Sequence, residues 1–224
     1  MKFKRIFDLV FTVPGIIVLI PLLIIIAIWV KLDSPGPIIF RQERVGQFER
    51  RFRIFKFRTM VYDAEKLGAQ ITVGNDSRIT KSGYFLRKYK IDELPQLFNV
   101  IRGEMSLVGP RPEVPGYVAF YNNKQRAVLD LVPGITDPAS IKYQNESKTL
   151  ALSKEPEQTY ILEIMPEKIL INLNYSRRST IVSDLMTILR TIFPRKKTGL
   201  EIYCPDNKDP ESKVNSERPI ETGK

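Results

Sequence analysis

From Leu9 to Val30 the chain carries no charged residue. A straight helix of that length is roughly 33 Å long, which matches the hydrocarbon core of a bilayer. Covering such a helix on all sides needs a larger protein than 224 residues provide. A membrane segment is therefore the first reading. A cleaved signal peptide fits less well, because the run exceeds a usual apolar core and Ala27-Ile28-Trp29 makes a poor cleavage site. Two features argue against a simple span. Pro14 and Pro21 lie inside the run, and an interior proline removes a helical hydrogen bond. Lys2, Lys4 and Arg5 precede the run, and Lys31, Arg41, Arg44, Arg50, Arg51 and Arg53 follow it. Positive charge marks the cytoplasmic side of a membrane segment, and here both ends claim that side. A helix that enters, bends at Pro21 and returns satisfies both.

The remaining composition narrows the chemistry. There is no histidine, so His-based triads, His general bases and His-ligated metals are excluded. Cys204 is the one cysteine, which excludes an internal disulfide and a Cys-rich zinc site. The formal net charge is +10, and residues 1–198 are more basic still, because the last residues carry more acid than base. Such a body expects anionic company: nucleic acid, anionic lipid or a phosphorylated substrate.

After the apolar run, Asp33-Ser34-Pro35-Gly36-Pro37 is a loop by composition. Pro37–Arg44 and Arg51–Met60 read as strands of a hairpin turning at Gly46-Gln47, with Phe52 and Ile54 facing away from Arg53, Phe55 and Phe57. Residues 61–68 are a short helix candidate, and Asn75-Asp76-Ser77 a turn. The pattern predicts helices over Lys81–Lys90, over Asp92–Arg102 with Gly103 as the stop, over Gly116–Leu131, and over Ser176–Phe193. In the last, Ile181, Leu185, Ile188, Leu189 and Ile192 share a face. That face could meet the membrane, the core or a second subunit. The fold class is thus mixed α/β, mostly α: a re-entrant membrane helix (residues 1–32), a body with a small β-hairpin and amphipathic surface helices (33–193), and a polar, Pro-punctuated tail (194–224).

Without histidine, a catalyst must use carboxylates, hydroxyls or lysine. Asp92-Glu93 stands out at an expected helix start, where free N–H groups favour a carboxylate or a phosphate. Arg87, Lys88 and Lys90 lie just upstream. A carboxylate beside several cations is suited to act as a nucleophile or as a Mg²⁺ ligand. The plainer reading is that Asp92 caps the helix. Arg111, between Pro110 and Pro112, is suited to bidentate phosphate binding, or to a surface ion pair. Arg41, Arg44, Arg50, Arg51, Arg53, Lys56 and Arg58 form either a solvated strand face or a contact for headgroups or a phosphorylated substrate. Aromatic residues interleave with them, which keeps nucleic-acid binding as a rival.

Five strings occur in order: Lys31-Leu32-Asp33-Ser34-Pro35-Gly36-Pro37, Phe40-Arg41-Gln42-Glu43-Arg44-Val45-Gly46, Lys56-Phe57-Arg58-Thr59-Met60, Asp92 to Val100, and Gly103 to Pro112. Together they resemble the monotopic phosphoglycosyl transferases of the bacterial sugar transferase family, over about residues 1–193, in a minimal form without an extra N-terminal membrane region. The resemblance implies transfer of a sugar 1-phosphate from a UDP-sugar to a polyprenol phosphate such as undecaprenyl phosphate, releasing UMP. It implies an Asp-Glu dyad with Mg²⁺: Asp92 as the nucleophile, forming a covalent phosphosugar intermediate, and as a metal contact, with Glu93 as its acidic partner. Arg111 matches the family's Pro-Arg-Pro arginine, expected at a phosphate. Lys56, Arg58 and Arg87 are the further phosphate-binding candidates. The resemblance also implies a place on the cytoplasmic face of the bacterial inner membrane, held by a re-entrant helix.

Departures from the pattern are local. The family's helix break often reads Ser-Pro; here it is Ile20-Pro21, so the proline carries the bend. Val132 replaces a usual basic residue, and Asp137-Pro138-Ala139-Ser140 follows Thr136 in place of a commoner Gly-Leu/Trp-Ala-Gln run. The resemblance implies that this region would bear on sugar choice, so no sugar identity is carried over. The expected partners are a UDP-sugar, polyprenol phosphate and membrane lipid, with no nucleic acid and room for a homodimer. The rival is a non-enzymatic basic module that docks on membrane or nucleic acid.

Overall fold

The computed structural model describes residues 2–64 and 76–193. The polar tail, Asn75 and half of the 61–68 helix candidate lie outside the described residues, and residues 61–64 form a turn. Helix α1 runs from Lys2 to Asp33, with helical assignment continuous through Pro14 and Pro21. It is long and apolar enough to cross a membrane. Much of its middle is exposed, including Phe11, Ile17, Val18 and Ile25.

Both ends of α1 are tied to the body. Near the start, Arg5 Nη2 donates to the Ile101 carbonyl at 2.8 Å. Asp8 Oδ1 accepts from Ser106 Oγ and Leu107 N, each at 3.0 Å. Near the end, Ile26 and Val30 pack with Phe57 and Leu86. Asp33 Oδ2 accepts from Ser82 N at 2.9 Å and Ser82 Oγ at 2.8 Å.

The expected hairpin is present. Strands β1 (Ile39–Val45) and β2 (Arg51–Phe57) pair antiparallel, with Gln42 opposite Ile54. The pleat sends β2 side chains into two cores: Ile54 packs with Val100 and Met105, and Phe57 with Ile26, Val30 and Leu86. A short 3₁₀ turn at Gln47–Glu49 closes the loop. Helix α2 (Lys81–Lys88) starts at Thr80, whose hydroxyl accepts from Gly83 N at 3.0 Å.

The single helix expected over Asp92–Arg102 is instead a 3₁₀ segment, Ile91–Gln96, followed by α3, Leu97–Arg102, ended by left-handed Gly103. Pro95 has no N–H to give an α-helical turn. Asn99, fully buried in α3, accepts from Phe55 N at 3.0 Å and donates to the Arg53 carbonyl at 2.8 Å, which locks the helix to β2.

Sequence periodicity missed a second sheet, in which β3 (Ser106–Val108) pairs in parallel with β4 (Gly134–Thr136). The expected helix Gly116–Leu131 is also broken. Helix α4 covers Pro115–Val118, and a 3₁₀ segment covers Gln125–Asp130. Between them Asn122 and Gln125 exchange side-chain-to-backbone bonds at 2.8 and 2.9 Å, the local competition that ends helices.

Beyond β4 come α5 (Pro138–Lys142), α6 (Glu146–Ala151), α7 (Pro156–Thr159), a π-helical turn at Tyr160–Ile164, α8 (Met165–Arg178) and α9 (Ile181–Ile192). The largest core joins Val114, Tyr117 and Tyr121 to Leu150, Tyr160 and Ile164. Helix α9 starts with a Thr180–Ser183 capping box, five residues later than the expected Ser176. Its polar side turns inward: Asp184 bonds Lys4 and Tyr175, and Thr191 bonds Thr136. Its apolar side, including Val182, Met186 and Ile192, is exposed.

Candidate active site

The 3₁₀ segment at Ile91–Gln96 packs on β2 and places Asp92 and Glu93 beside Lys56. It begins at Lys90, a non-glycine residue held at φ 55°. Left-handed backbone is uncommon outside glycine and collects at functional sites. Asp92 makes no side-chain cap, so the helix-capping reading does not describe it.

The two carboxylates differ sharply. Glu93 Oε1 accepts from Lys56 Nζ at 2.9 Å, and Arg111 embraces both oxygens, with Nη1 to Oε2 at 3.1 Å and Nη2 to Oε1 at 2.5 Å. Burial pushes Glu93 up, but the Arg111 and Lys56 charges outweigh it and hold the carboxyl well below its ordinary value. Glu93 therefore stays ionised and occupied. No described residue hydrogen-bonds the Asp92 carboxyl. Burial, and then the neighbouring Glu93 charge, raise its pKa from 3.8 to about 6, against the opposing pull of Lys56, Arg87 and Arg111. Burial also pushes the Lys56 ammonium down, with Glu93 opposing.

The Pro-Arg-Pro loop is pinned from both sides. Gly134 N donates to the Pro110 carbonyl at 3.0 Å, and Gly109 N to the Thr136 carbonyl at 3.0 Å. At this crossing a Cβ on Gly134 would overlap the Gly109 backbone. Arg44 Nη1 donates to the Pro112 carbonyl at 3.0 Å. Arg44 also faces Glu113 at 3.8 Å, and Glu113 takes the Tyr160 hydroxyl. Arg111 is thus fixed through its own backbone.

These groups line a cavity of about 1010 Å³, as large as the biggest ordinary ligand pockets. One wall is apolar, with Ile38, Phe57, Met60 and Val61. The floor carries Asp92, Glu93, Lys56, Arg87, Lys90 and Arg111. The third wall comes from α5, α6 and the turn that joins them, and includes Ser140, Gln144 and Ser147.

All of the sequence-predicted polar site residues line this one cavity: Asp92, Glu93, Arg111, Lys56, Arg58 and Arg87. Arg58 has a visible structural task as well. Its Nη2 donates to the Val30 carbonyl at 3.2 Å and to Ser34 O and Oγ at 2.6 and 2.9 Å, closing the end of α1. Pro21 is not part of the cavity lining and is exposed within α1. The hairpin cations divide: Arg41 and Arg44 line the cavity, while Arg51 pairs with Glu43 at 3.0 Å on the outside. Lys90, Glu113 and Tyr160 were not foreseen as a site. Only the unbroken basic run before Asp92 hinted at Lys90.

Among the described residues, no three metal-ligating side chains cluster. The donor set still fits Mg²⁺, which is commonly held by one or two carboxylates completed by substrate phosphates and water. Asp92 supplies such a carboxylate, buried and without a hydrogen-bonding partner among the described residues. The reading as a basic docking module gains no support, since the cations converge on a carboxylate pair inside a cavity.

Several proteins are similar to this chain in sequence. An undecaprenyl-phosphate glucose phosphotransferase of Komagataeibacter xylinus is 40% identical over 203 residues, 86% of this chain and 36% of that protein. A UDP-N-acetylgalactosamine-undecaprenyl-phosphate N-acetylgalactosaminephosphotransferase of Aeromonas hydrophila is 49% identical over 121 residues, 54% of this chain and 29% of that protein. A UDP-glucose:undecaprenyl-phosphate glucose-1-phosphate transferase of Caulobacter vibrioides is 34% identical over 192 residues, 84% of this chain and 68% of that protein. The chain thus spans about a third of the length of the first two. The family model described as bacterial sugar transferase matches residues 1–196, and with the site built around Asp92 the chain belongs to the bacterial sugar transferase family.

Proposed function

We propose that this protein transfers a sugar 1-phosphate from a UDP-sugar to polyprenol phosphate, releasing UMP. The observation that carries the reading is Asp92: a buried carboxyl with no hydrogen-bonding partner among the described residues, facing a cationic cavity. The activities for which the similar proteins are named are of the same class.

In the first step an Asp92 carboxylate oxygen attacks the phosphorus that bears the sugar. The bond from that phosphorus to the bridging oxygen breaks, and UMP leaves with the electron pair. An acyl-phosphate now links Asp92 to the sugar phosphate. In the second step a polyprenol phosphate oxygen attacks the same phosphorus and Asp92 departs as a carboxylate. Splitting the reaction means that a water-soluble donor and a lipid acceptor need not share the cavity. Phosphoryl transfer depends mostly on positioning and charge neutralisation. Arg111 and Lys56, held by Glu93, and Arg87 supply fixed positive charge beside Asp92. Mg²⁺ held by Asp92 and donor phosphate oxygens would add neutralisation of the diphosphate. Glu93 acts here by holding the two cations, since its own proton is already gone.

The protein sits on the cytoplasmic membrane face with α1 re-entrant. Bonds from both Arg5 and Asp33 to the same body support this, because a straight span would carry its two ends to opposite sides. The apolar cavity wall, close to the end of α1, suits the acceptor's chain.

The test is UMP release by detergent-solubilised protein with Mg²⁺, undecaprenyl phosphate and a panel of UDP-sugars. Release with at least one donor, dependent on the acceptor for turnover, is expected. No release from any donor would contradict the reading.

A further inference from the structure

The α5–α6 wall differs from the rest of the cavity. Elsewhere the lining is mostly charged, as a diphosphate requires, or apolar. The α5–α6 wall presents the Ser147 hydroxyl and the amide of Gln144, while the Ser140 hydroxyl is already spent on Asp137 Oδ2 at 2.5 Å. Its one lining cation from the neighbouring helix, Lys168, is bonded to Glu146 at 2.7 Å. The wall is also braced. Asp137 caps α5 by accepting from Ser140 N at 2.9 Å, and Tyr143 and Lys142 both bond Glu167 of α8. A surface that discriminates between ligands must hold its donors and acceptors still.

A UDP-sugar has two uncharged ends, the base and the sugar. A base asks for an open aromatic face. Tyr143, the aromatic residue of this wall, has the Lys142 ammonium 5.8 Å from its ring centre, and its hydroxyl is engaged by Glu167. What remains is a set of short neutral hydrogen-bonding groups, which matches the hydroxyls of a sugar. Arg111 lines the same cavity.

We propose that the α5–α6 wall is the sugar-discriminating surface, with Gln144 and Ser147 contacting an uncharged sugar of the donor. This rests on the transferase reading above. It assigns no role in the wall to the uridine. A sugar carboxylate would meet no unpaired cation there among the described residues, so a uronic-acid donor is disfavoured.

The experiment compares wild type with Gln144→Ala and Ser147→Ala, two exposed positions where truncation leaves the core intact. For each, kcat/KM is measured with UDP-glucose, UDP-N-acetylgalactosamine and UDP-glucuronate, together with inhibition by UMP, which carries no sugar. The expected result is a change of about three- to tenfold in the ratio between the two neutral donors in at least one variant, the scale of one lost hydrogen bond. UMP inhibition should stay within about twofold of wild type, a shift too small for a lost hydrogen bond. UMP inhibition that weakens while the donor ratios hold would overturn the proposal and assign the wall to uridine. Unchanged ratios with unchanged UMP inhibition would also overturn it. A wild-type protein silent with every donor contradicts the transferase reading itself, a result separate from either.

Discussion

At the scale of single residues, the site separates two adjacent carboxylates by environment. Glu93 is held ionised by Arg111 and Lys56, and Asp92 is left buried with no hydrogen-bonding partner among the described residues. Asp92 is the stored cost of the site. Its folded pKa of about 6 lies above the ordinary 3.8, so the group favours the fold when protonated and loses that contribution as pH rises through about 6. Asp92→Asn should therefore abolish turnover yet stabilise the fold at pH 7.5, by about 1–3 kcal/mol, with the gain vanishing near pH 4. Paired denaturation curves at the two pH values read this; destabilisation at pH 7.5 would contradict it. If Asp92 is the nucleophile proposed above, the wild-type rate should fall as pH drops through about 6, where its carboxylate takes up a proton. Glu93→Gln removes a charge that raises Asp92, so its weaker activity should show an acid limb moved to lower pH. A limb that disappeared would instead mean that Glu93 itself carries the proton.

At the scale of elements, the parallel β3–β4 contact decides where Arg111 points. Gly134→Ala would push its Cβ into the Gly109 backbone, at a cost of about 1–3 kcal/mol of overpacking. Activity should fall further than stability predicts, because the Pro110–Pro112 loop moves with the strand. Thermal unfolding and UMP release measured together separate the two, and proportionate losses would contradict the claim. This contact was not legible beforehand. Strands of three residues are too short to show alternation, and their pairing joins segments far apart in the chain. The β1–β2 hairpin was legible, since seven-residue strands with Phe and Ile on alternate sides declare their faces. The helix over 116–131 misled for a local reason: the Asn122–Gln125 exchange breaks a run whose apolar spacing still looks helical. For the site, the acidic pair and Pro-Arg-Pro were visible as residues, and the resemblance gave them roles. That Lys56 and Arg111 share Glu93, leaving Asp92 bare, depends on how the 3₁₀ segment packs on β2, which no spacing encodes.

At the scale of the whole molecule, α1 and the cavity make one device. The long apolar helix is anchored at both ends to the body, through Arg5 and Asp8 at one end and through Asp33 and the Arg58 closure at the other. In sealed vesicles, single cysteines placed at Lys4 and at Leu32, in a Cys204→Ser background, should react with a membrane-impermeant thiol reagent from the same side. Labelling from opposite sides would show a span and refute the re-entrant arrangement. On the proposed reading, such an anchor would keep the cavity at the interface, where a soluble donor and a lipid acceptor can arrive in turn. The two-step route through Asp92 is the centre of this account. Its most direct measurement is incubation of solubilised protein with Mg²⁺ and an active UDP-sugar, without acceptor, followed by intact mass and UMP quantitation. The account predicts about one UMP per protein and an added sugar phosphate that is absent in Asp92→Asn, as covalent catalysis requires. UMP released only when polyprenol phosphate is present, with no mass added to the protein, would contradict it.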